Sequence, residues 1–246
     1  MDEKEILKKL EELEKRQKRT EAGTEIRNLV GRYAQLHAVG RDKQILRELW
    51  SERADASVED RWSGVHLMQG RVTGIREFFE NQYGMPGENG PEVREERGRM
   101  HVDTVNSLVL EIREDLQEAR ASWLSAGCES RRMQDPADPG KKKLRAFWVW
   151  SRVEAEFVPE GGKWKILHLH IRDLFRCPFE KSWVEYGAER MKDEELLDTM
   201  MRSGTPGLLP SYPSEDFWEY SPDSGMPSTA GVAAEYDEQM KKDEKK

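Results

Sequence analysis

The residues best placed to do chemistry fall in two short alternations. His101 and Asp103 stand two apart in the run MHVDTVNSLVLEI. On a strand, positions i and i+2 share a face, so this carboxylate can orient the imidazole directly or through water. An acid in that place also makes a histidine more basic, as abstraction of a proton beside a carbonyl requires. His168, His170 and Arg172 repeat the spacing in KILHLHIRDLF. Two histidines so spaced can ligate a metal, but no third ligand has a matching spacing and neither an HExxH motif nor a cysteine cluster occurs, so no metal site is expected. The row reads better as pocket lining, with His170 and Arg172 as substrate-binding candidates and Arg172 suited to a carboxylate or oxyanion. Leu167, Leu169 and Ile171 make the opposite face apolar too, and spacing leaves open which side turns inward. In LRAFWVWSRVEAEF, Trp148 and Trp150 share one face, with Phe147, Val149 and Val153 on the other, and Trp62 and Trp123 add bulk nearby. These aromatics suit core and oligomer contacts or a wide apolar pocket for a polycyclic ligand, in which Trp150 would touch substrate. No GxGxxG, GxxxxGK[ST] or Ser/His/Asp set is present, so no cofactor is expected.

Helices come first in the chain and strands follow, and together they must position these groups. From Asp2 to about Arg19, Glu and Lys alternate around Ile6, Leu10, Leu13 and Gln17, predicting a charged helix with a narrow apolar stripe. Gly23 punctuates it, and Thr24 is placed to cap a second helix whose Ile26, Val30 and Tyr33 share a face and which ends near Val39 and Gly40. DKQILRELWSE gathers Ile45, Leu46, Leu49 and Trp50 on a third. Residues 54–69 read as a hairpin turning near Ser63 and Gly64, and Gly70 opens a fourth helix carrying Val72, Ile75, Phe78, Phe79 and Tyr83. A loop over 84–99 follows. Strands are predicted over 101–112, 117–125, 144–158 and 163–175, with the proline-containing stretch 126–143 as a disordered segment or a flap. Helices followed by an antiparallel meander predict an α+β fold, its helices packed on one face of a curved sheet. A helical segment near 187–201 leads into a proline-rich run, from which Phe217 to Tyr220 is expected to dock on its own domain or a neighbour.

The 246 residues carry 40 basic and 48 acidic side chains but only 36% hydrophobic ones, so part of the chain lies outside any core. The expected division is a charged helix over 1–22, an α+β barrel domain over 23–182 and a partly disordered C-terminal extension over 183–246. A net charge of −8 repels phosphate backbones, so no nucleic-acid partner is expected, and the basic cluster of Arg131, Arg132 and Lys141 to Lys143 reads as a solvated loop. Apolar runs are too short to span a bilayer and the opening MDEKEILKKL is unlike a signal peptide, which predicts a soluble, cytoplasmic protein with no membrane partner. Cys128 and Cys177 lack a CxxC pairing and predict no disulfide framework. The narrow stripe of the first helix predicts a homo-oligomer, a dimer or trimer.

The series EIRNLVGRYAQL, DKQILRELW, GRVTGIREFFE, MHVDTVNSLVLEI and WSRVEAEFVPEGGKWKILHLHIRDLF resembles the SnoaL-like branch of the nuclear transport factor 2 superfamily, over roughly residues 20–180. The resemblance implies a cone-shaped curved antiparallel sheet wrapped around helices and a deep pocket. The leading LEELEKRQKRTEAGTEIRNLVGRY is similar to the start of bile acid dehydratases, and scytalone dehydratase and hexachlorocyclohexane dehydrochlorinase share the plan. In eliminating members a helix tyrosine polarises a carbonyl, a strand histidine handles a proton and a helix aspartate completes the set. Tyr33 matches the tyrosine and His101 the histidine, whereas the aspartate, expected around Ala38 or Val39, is missing. His37 and Asp42 stand near that gap, His37 as a candidate to bind substrate. Whether Asp103 or His37 partners His101 stays open. The implied activity is that of a cofactor-independent lyase, a dehydratase acting on a hydrophobic ring compound of steroid, bile-acid or polyketide type. An isomerase using the same enolisation and a non-catalytic binding or assembly module are the alternatives.

Overall fold

A computed structural model of the chain describes residues 2–61, 70–73, 97–135, 137–190 and 209–210. In chain order it comprises helices α1 (Glu3–Ala38) and α2 (Asp42–Glu48), then strands β1 (Ser57–Arg61), β2 (Gly70–Thr73), β3 (Met100–Asp103) and β4 (Asn106–Ile112). The long strands β5 (Ala119–Asp135), β6 (Asp138–Glu160) and β7 (Lys163–Pro178) follow, then helix α3 (Trp183–Arg190) and the two-residue β8 (Leu209–Pro210).

The first two predicted helices are one. Asp2 caps α1, its carboxylate accepting from the Glu5 N–H at 2.8 Å, and the helix runs unbroken through Gly23. Thr24 does not cap: its hydroxyl donates back to the Thr20 carbonyl at 3.0 Å, a bond available inside a continuing helix. Gly23 lies where α1 passes the sheet, and a Cβ there would make ordinary contact with Ile112 Cδ1 at 3.6 Å. Residues 2–21 are exposed, and burial begins at Ala22, where the stripe Ile26, Leu29 and Val30 meets the sheet.

The sheet runs in the order β3-β5-β6-β7-β1-β2-β8, with β4 also on β5. All these pairings are antiparallel except β1 on β7, which is parallel, in register Ser57 to His168 through Arg61 to Arg172. The sheet is therefore mixed rather than a pure meander. Gly70–Thr73 is a strand paired with β1, not the opening of a helix; the rest of that expected helix, the far arm of the expected hairpin and the Phe217 to Tyr220 segment lie outside the described residues.

The stretch 126–143 is also not a flap. β5 and β6 continue paired through it to Asp135 opposite Asp138. The two aspartates make the turn: Asp135 Oδ1 accepts from the Ala137 N–H at 3.0 Å and Asp138 Oδ1 from the Gly140 N–H at 3.1 Å. The residues that suggested a long loop thus build a tight one, and Lys142 and Lys143 stand opposite Gln134 and Met133 on the ladder. The strand expected over 101–112 is broken in two. Thr104 Oγ1 donates to the Ala126 carbonyl at 2.7 Å and accepts from the Ala126 N–H at 3.1 Å, a side chain standing in for backbone pairing, and Ser107 has φ 53°.

The core lies between the second half of α1, α2 and the inner face of the sheet. Ile26, Ile45 and Phe157 are fully buried there, joined by Trp123, Val153 and Leu169. Among the described residues no helix is long and apolar enough to cross a membrane.

Candidate active site

Ile26, Val30, Tyr33 and His37 follow one another at spacings of four, three and four, which keeps them on one face of α1. The apolar stripe that anchors the helix therefore delivers a tyrosine and then a histidine to the sheet. The helix ends immediately beyond. The Gly40 N–H donates to the His37 carbonyl at 3.0 Å and the Arg41 N–H to that of Leu36 at 2.9 Å, with Gly40 at φ 70°. This is the two-bond stop that favours glycine, since the left-handed conformation costs it no Cβ clash. Its consequence is chemical, because the reversal places Asp42 back against the helix it has just left. Asp42 Oδ1 lies 2.5 Å from His37 Nδ1, with side-chain exposures of 1% and 6%.

The second pair arrives from the sheet. His101 and Asp103 share the inner face of β3, and His101 Nε2 lies 2.8 Å from Asp103 Oδ2. Gly127 on β5 permits that approach: a Cβ on it would come within 2.5 Å of Asp103 Oδ1 and 2.6 Å of the Val102 carbonyl oxygen. The two histidines meet edge to face, ring centroids 4.5 Å apart, and Tyr33 is stacked against His37 at 6.0 Å. His101 is thus hydrogen-bonded to Asp103 and in ring contact with His37.

These four residues line one cavity of about 50 Å³. Trp123, Val149, Val153 and Ile171 give it apolar walls, while Ser125, Ser151, Asp173 and Arg176 give it polar ones. Arg176 is held by Glu129 through Nη1 and by Asp173 through Nε at 2.9 Å, and Ser151 Oγ donates to Asp173 at 2.7 Å. Ser125 is 3% exposed, and its hydroxyl has no hydrogen-bond partner among the described residues.

Burial opposes charge on His37, but the bond to Asp42 and the fields of Asp42 and Asp103 outweigh it and hold the imidazole above its ordinary value. Burial likewise opposes charge on Asp103, yet the hydrogen bond and charge of His101, with His37 and Arg176 beyond, keep its carboxyl below the usual carboxylate range. The Arg176 guanidinium is raised further still: burial is offset by Asp173 and Glu129. The site therefore sets an acidic side chain on each side of a histidine pair. With Nδ1–H donating to Asp42, Nε2 is the remaining nitrogen of His37, and with Nε2–H donating to Asp103, Nδ1 is the basic nitrogen of His101.

Arg172, His170 and Trp150 lie elsewhere. On β7 the residues that line the cavity are Ile171, Asp173 and, beyond the bulge, Arg176, whereas His170 and Arg172 alternate with the first two and project to the other side, where Arg172 lies 3.6 Å from Glu154. On β6 the lining residues are Val149, Ser151 and Val153, and Trp150 is 41% exposed, stacked on Phe175. His168 is engaged by Ser57 Oγ at 2.8 Å. Asp173 and Arg176 were not anticipated. An acid three positions before an arginine in a strand that both bulges and curls has no simple period to reveal it, and β7 shifts register against β6 beside Trp150 and Ser151.

Compared with known families, residues 18–170 match the model of the SnoaL-like domain. The chain belongs to the SnoaL-like domain family. A comparison with curated proteins gives no match. Among solved structures, the SnoaL-like chain is similar to a Novosphingobium aromaticivorans protein provisionally named an aromatic ring hydroxylase, at 19% identity and TM-score 0.45, covering 65% of this chain and 94% of that one. It is also similar to a protein of the same organism provisionally named a scytalone dehydratase, at 12% identity and TM-score 0.45, covering 69% and 93%. A third is a hexachlorocyclohexane dehydrochlorinase, at 14% identity and TM-score 0.43, covering 65% and 90%.

Proposed function

We propose that this SnoaL-like protein is a lyase that dehydrates a β-hydroxy carbonyl compound carrying a hydrophobic ring, without a cofactor. The observation that supports this most is the convergence of Tyr33, His37, His101 and Asp103 on one cavity with apolar walls. Elimination beside a carbonyl needs three things: a base for the α proton, a donor for the developing enolate oxygen and an acid for the departing hydroxyl. His101, oriented by Asp103, is the base. Tyr33 supplies the phenolic donor. His37, kept protonated by Asp42, fills the place of the aspartate that the family resemblance led one to expect, and delivers the proton that turns the leaving hydroxyl into water. After product release His101 gives its proton to solvent and His37 takes one back, so both groups return to their starting states.

The cavity holds roughly four waters' worth of space, which suits the reacting carbonyl edge of a ring. Its buried Arg176 is already matched by two carboxylates and offers little net charge to an anion, so a neutral ring ketone fits better than a free acid.

The test is to incubate the purified protein, with chelator present, with β-hydroxy ring ketones and enones of steroid and polyketide type. Water loss is followed by mass spectrometry and α-carbon exchange in deuterated solvent by NMR. Water loss that falls about 100-fold or more in His101→Ala and is impaired in Tyr33→Phe supports the reading. Turnover unchanged by both substitutions defeats it. Exchange without water loss would identify an isomerase. Ligand-dependent stabilisation with neither reaction would identify a binding module.

A further inference from the structure

We propose that His37, His101 and Asp103 form a binding site for a divalent transition metal of the zinc type. One ligand atom from each of the three lies within 4.8 Å of the other two. Ligands about 2.0–2.1 Å from a tetrahedral metal stand about 3.3 Å from one another. His101 Nε2 and Asp103 Oδ2, at 2.8 Å, are already near that spacing; the metal replaces the proton they share, which leaves to solvent as His101 takes the Nδ1–H tautomer, and small side-chain rotations bring His37 to the same spacing.

Three further features favour a metal over an accidental cluster. First, Asp42 holds His37 Nδ1, which leaves Nε2 as the ligating nitrogen; a carboxylate behind a ligating imidazole fixes its tautomer and strengthens it as a donor. Second, the surroundings are anionic: Asp42, Asp103, Glu129 and Asp173 outnumber the guanidiniums of Arg176, which ties two of them, and Arg99, whose field also reaches His37. Third, three protein ligands leave a coordination position open toward the cavity, where the buried Ser125 hydroxyl, unpartnered among the described residues, can accept from a metal-bound water. Two imidazoles and one carboxylate suit zinc, cobalt or nickel better than magnesium or calcium, which prefer oxygen donors alone. The pair His168 and His170, which the sequence made the more obvious candidate, is not this site, since His168 is held by Ser57.

The metal site stands independently of the lyase reading, but the two interact. A metal occupying both histidines removes the base and the acid together, so zinc and turnover exclude each other.

The test uses the full-length protein, stripped with chelator and desalted, titrated with zinc chloride by calorimetry and with cobalt chloride by visible absorption. One zinc per chain is expected, together with a cobalt spectrum containing ligand-field bands of a nitrogen-liganded, low-coordinate ion. Asp103→Asn and His37→Ala should each weaken zinc by at least the 10- to 100-fold typical of losing even an outer-shell partner. Asp42→Asn should weaken it by about 10- to 100-fold, and His170→Asn should leave it unchanged. If His37→Ala fails to fold, Asp103→Asn decides, because its side chain is about one-third exposed and tolerates the change. No saturable zinc binding by the stripped protein, or equal affinity in wild type and Asp103→Asn, overturns the proposal.

Discussion

At the scale of single residues, the site is two histidines, each held by a carboxylate, one pair supplied by the helix hairpin and one by the sheet. The two pairs differ in how they could be read. His101 and Asp103 follow from period two on a strand and were legible in the chain. His37 was half legible, since the stripe Ile26, Val30, Tyr33 continues to it at the next helical step, but its partner Asp42 was not. Five residues separate them, and only the reversal at Gly40 makes them neighbours. Because the pair is almost completely buried, removing its carboxylate leaves an imidazole without compensation. Asp42→Asn is therefore expected to lower unfolding free energy by about 2–4 kcal/mol in urea melts at neutral pH; a loss under about 0.5 kcal/mol would show that the pair contributes little.

At the scale of elements, β5 is the template on which the site is assembled, since β3, β4 and β6 all pair with it. Gly127 is the point of closest approach. Gly127→Ala should push β3 outward, cost about 1–3 kcal/mol and displace Asp103 from His101, which would be read as slower turnover with a shifted pH profile. Wild-type kinetics in that variant would show that β3 has slack. A second joint ties the segment after α2 to the end of β6. Glu160 accepts from Ser51 Oγ at 2.6 Å and from the Glu52 N–H at 3.0 Å, and these bonds hold its carboxyl below the usual range. A carboxyl depressed in the folded state stabilises above its unfolded value and loses that contribution as pH falls through the folded one. The stability difference between wild type and Glu160→Gln should therefore be largest near neutrality, about 1 kcal/mol or less for so open a site, and shrink between about pH 5 and pH 3. A difference constant with pH would assign the joint to shape rather than charge.

At the scale of the whole molecule, two apolar surfaces stand exposed among the described residues. The first half of α1 exposes Leu7, Leu10 and Leu13 at 54–59%, and the outer side of the sheet exposes Trp148 and Trp150 at 40–41%, with Trp183 of α3 packed beside them on Phe175. An isolated stripe of this kind is marginal alone in water, and a second copy of the chain is the simplest cover for both. Deleting residues 1–20 is expected to lower the sedimentation coefficient toward that of a monomer, with melting of the core little changed because burial begins at Ala22. Unchanged association would move the interface to the tryptophan face alone.

The sequence by itself determined the α+β order, the amphipathic half of α1 and the His101–Asp103 alternation, because each follows from a local period that needs no partner. Composition misled where long-range pairing overrode it. Gly23 reads as a break but lies inside one continuous helix, and Asp135 and Asp138 fall in a stretch that reads as a loop but make the tight turn between β5 and β6. Tertiary structure alone decided which side of β6 and β7 faces inward, and so removed Trp150, His170 and Arg172 from the cavity while adding Ser125, Asp173 and Arg176. A period of two says which residues share a face; only the curl of the sheet around α1 says which face is the inside.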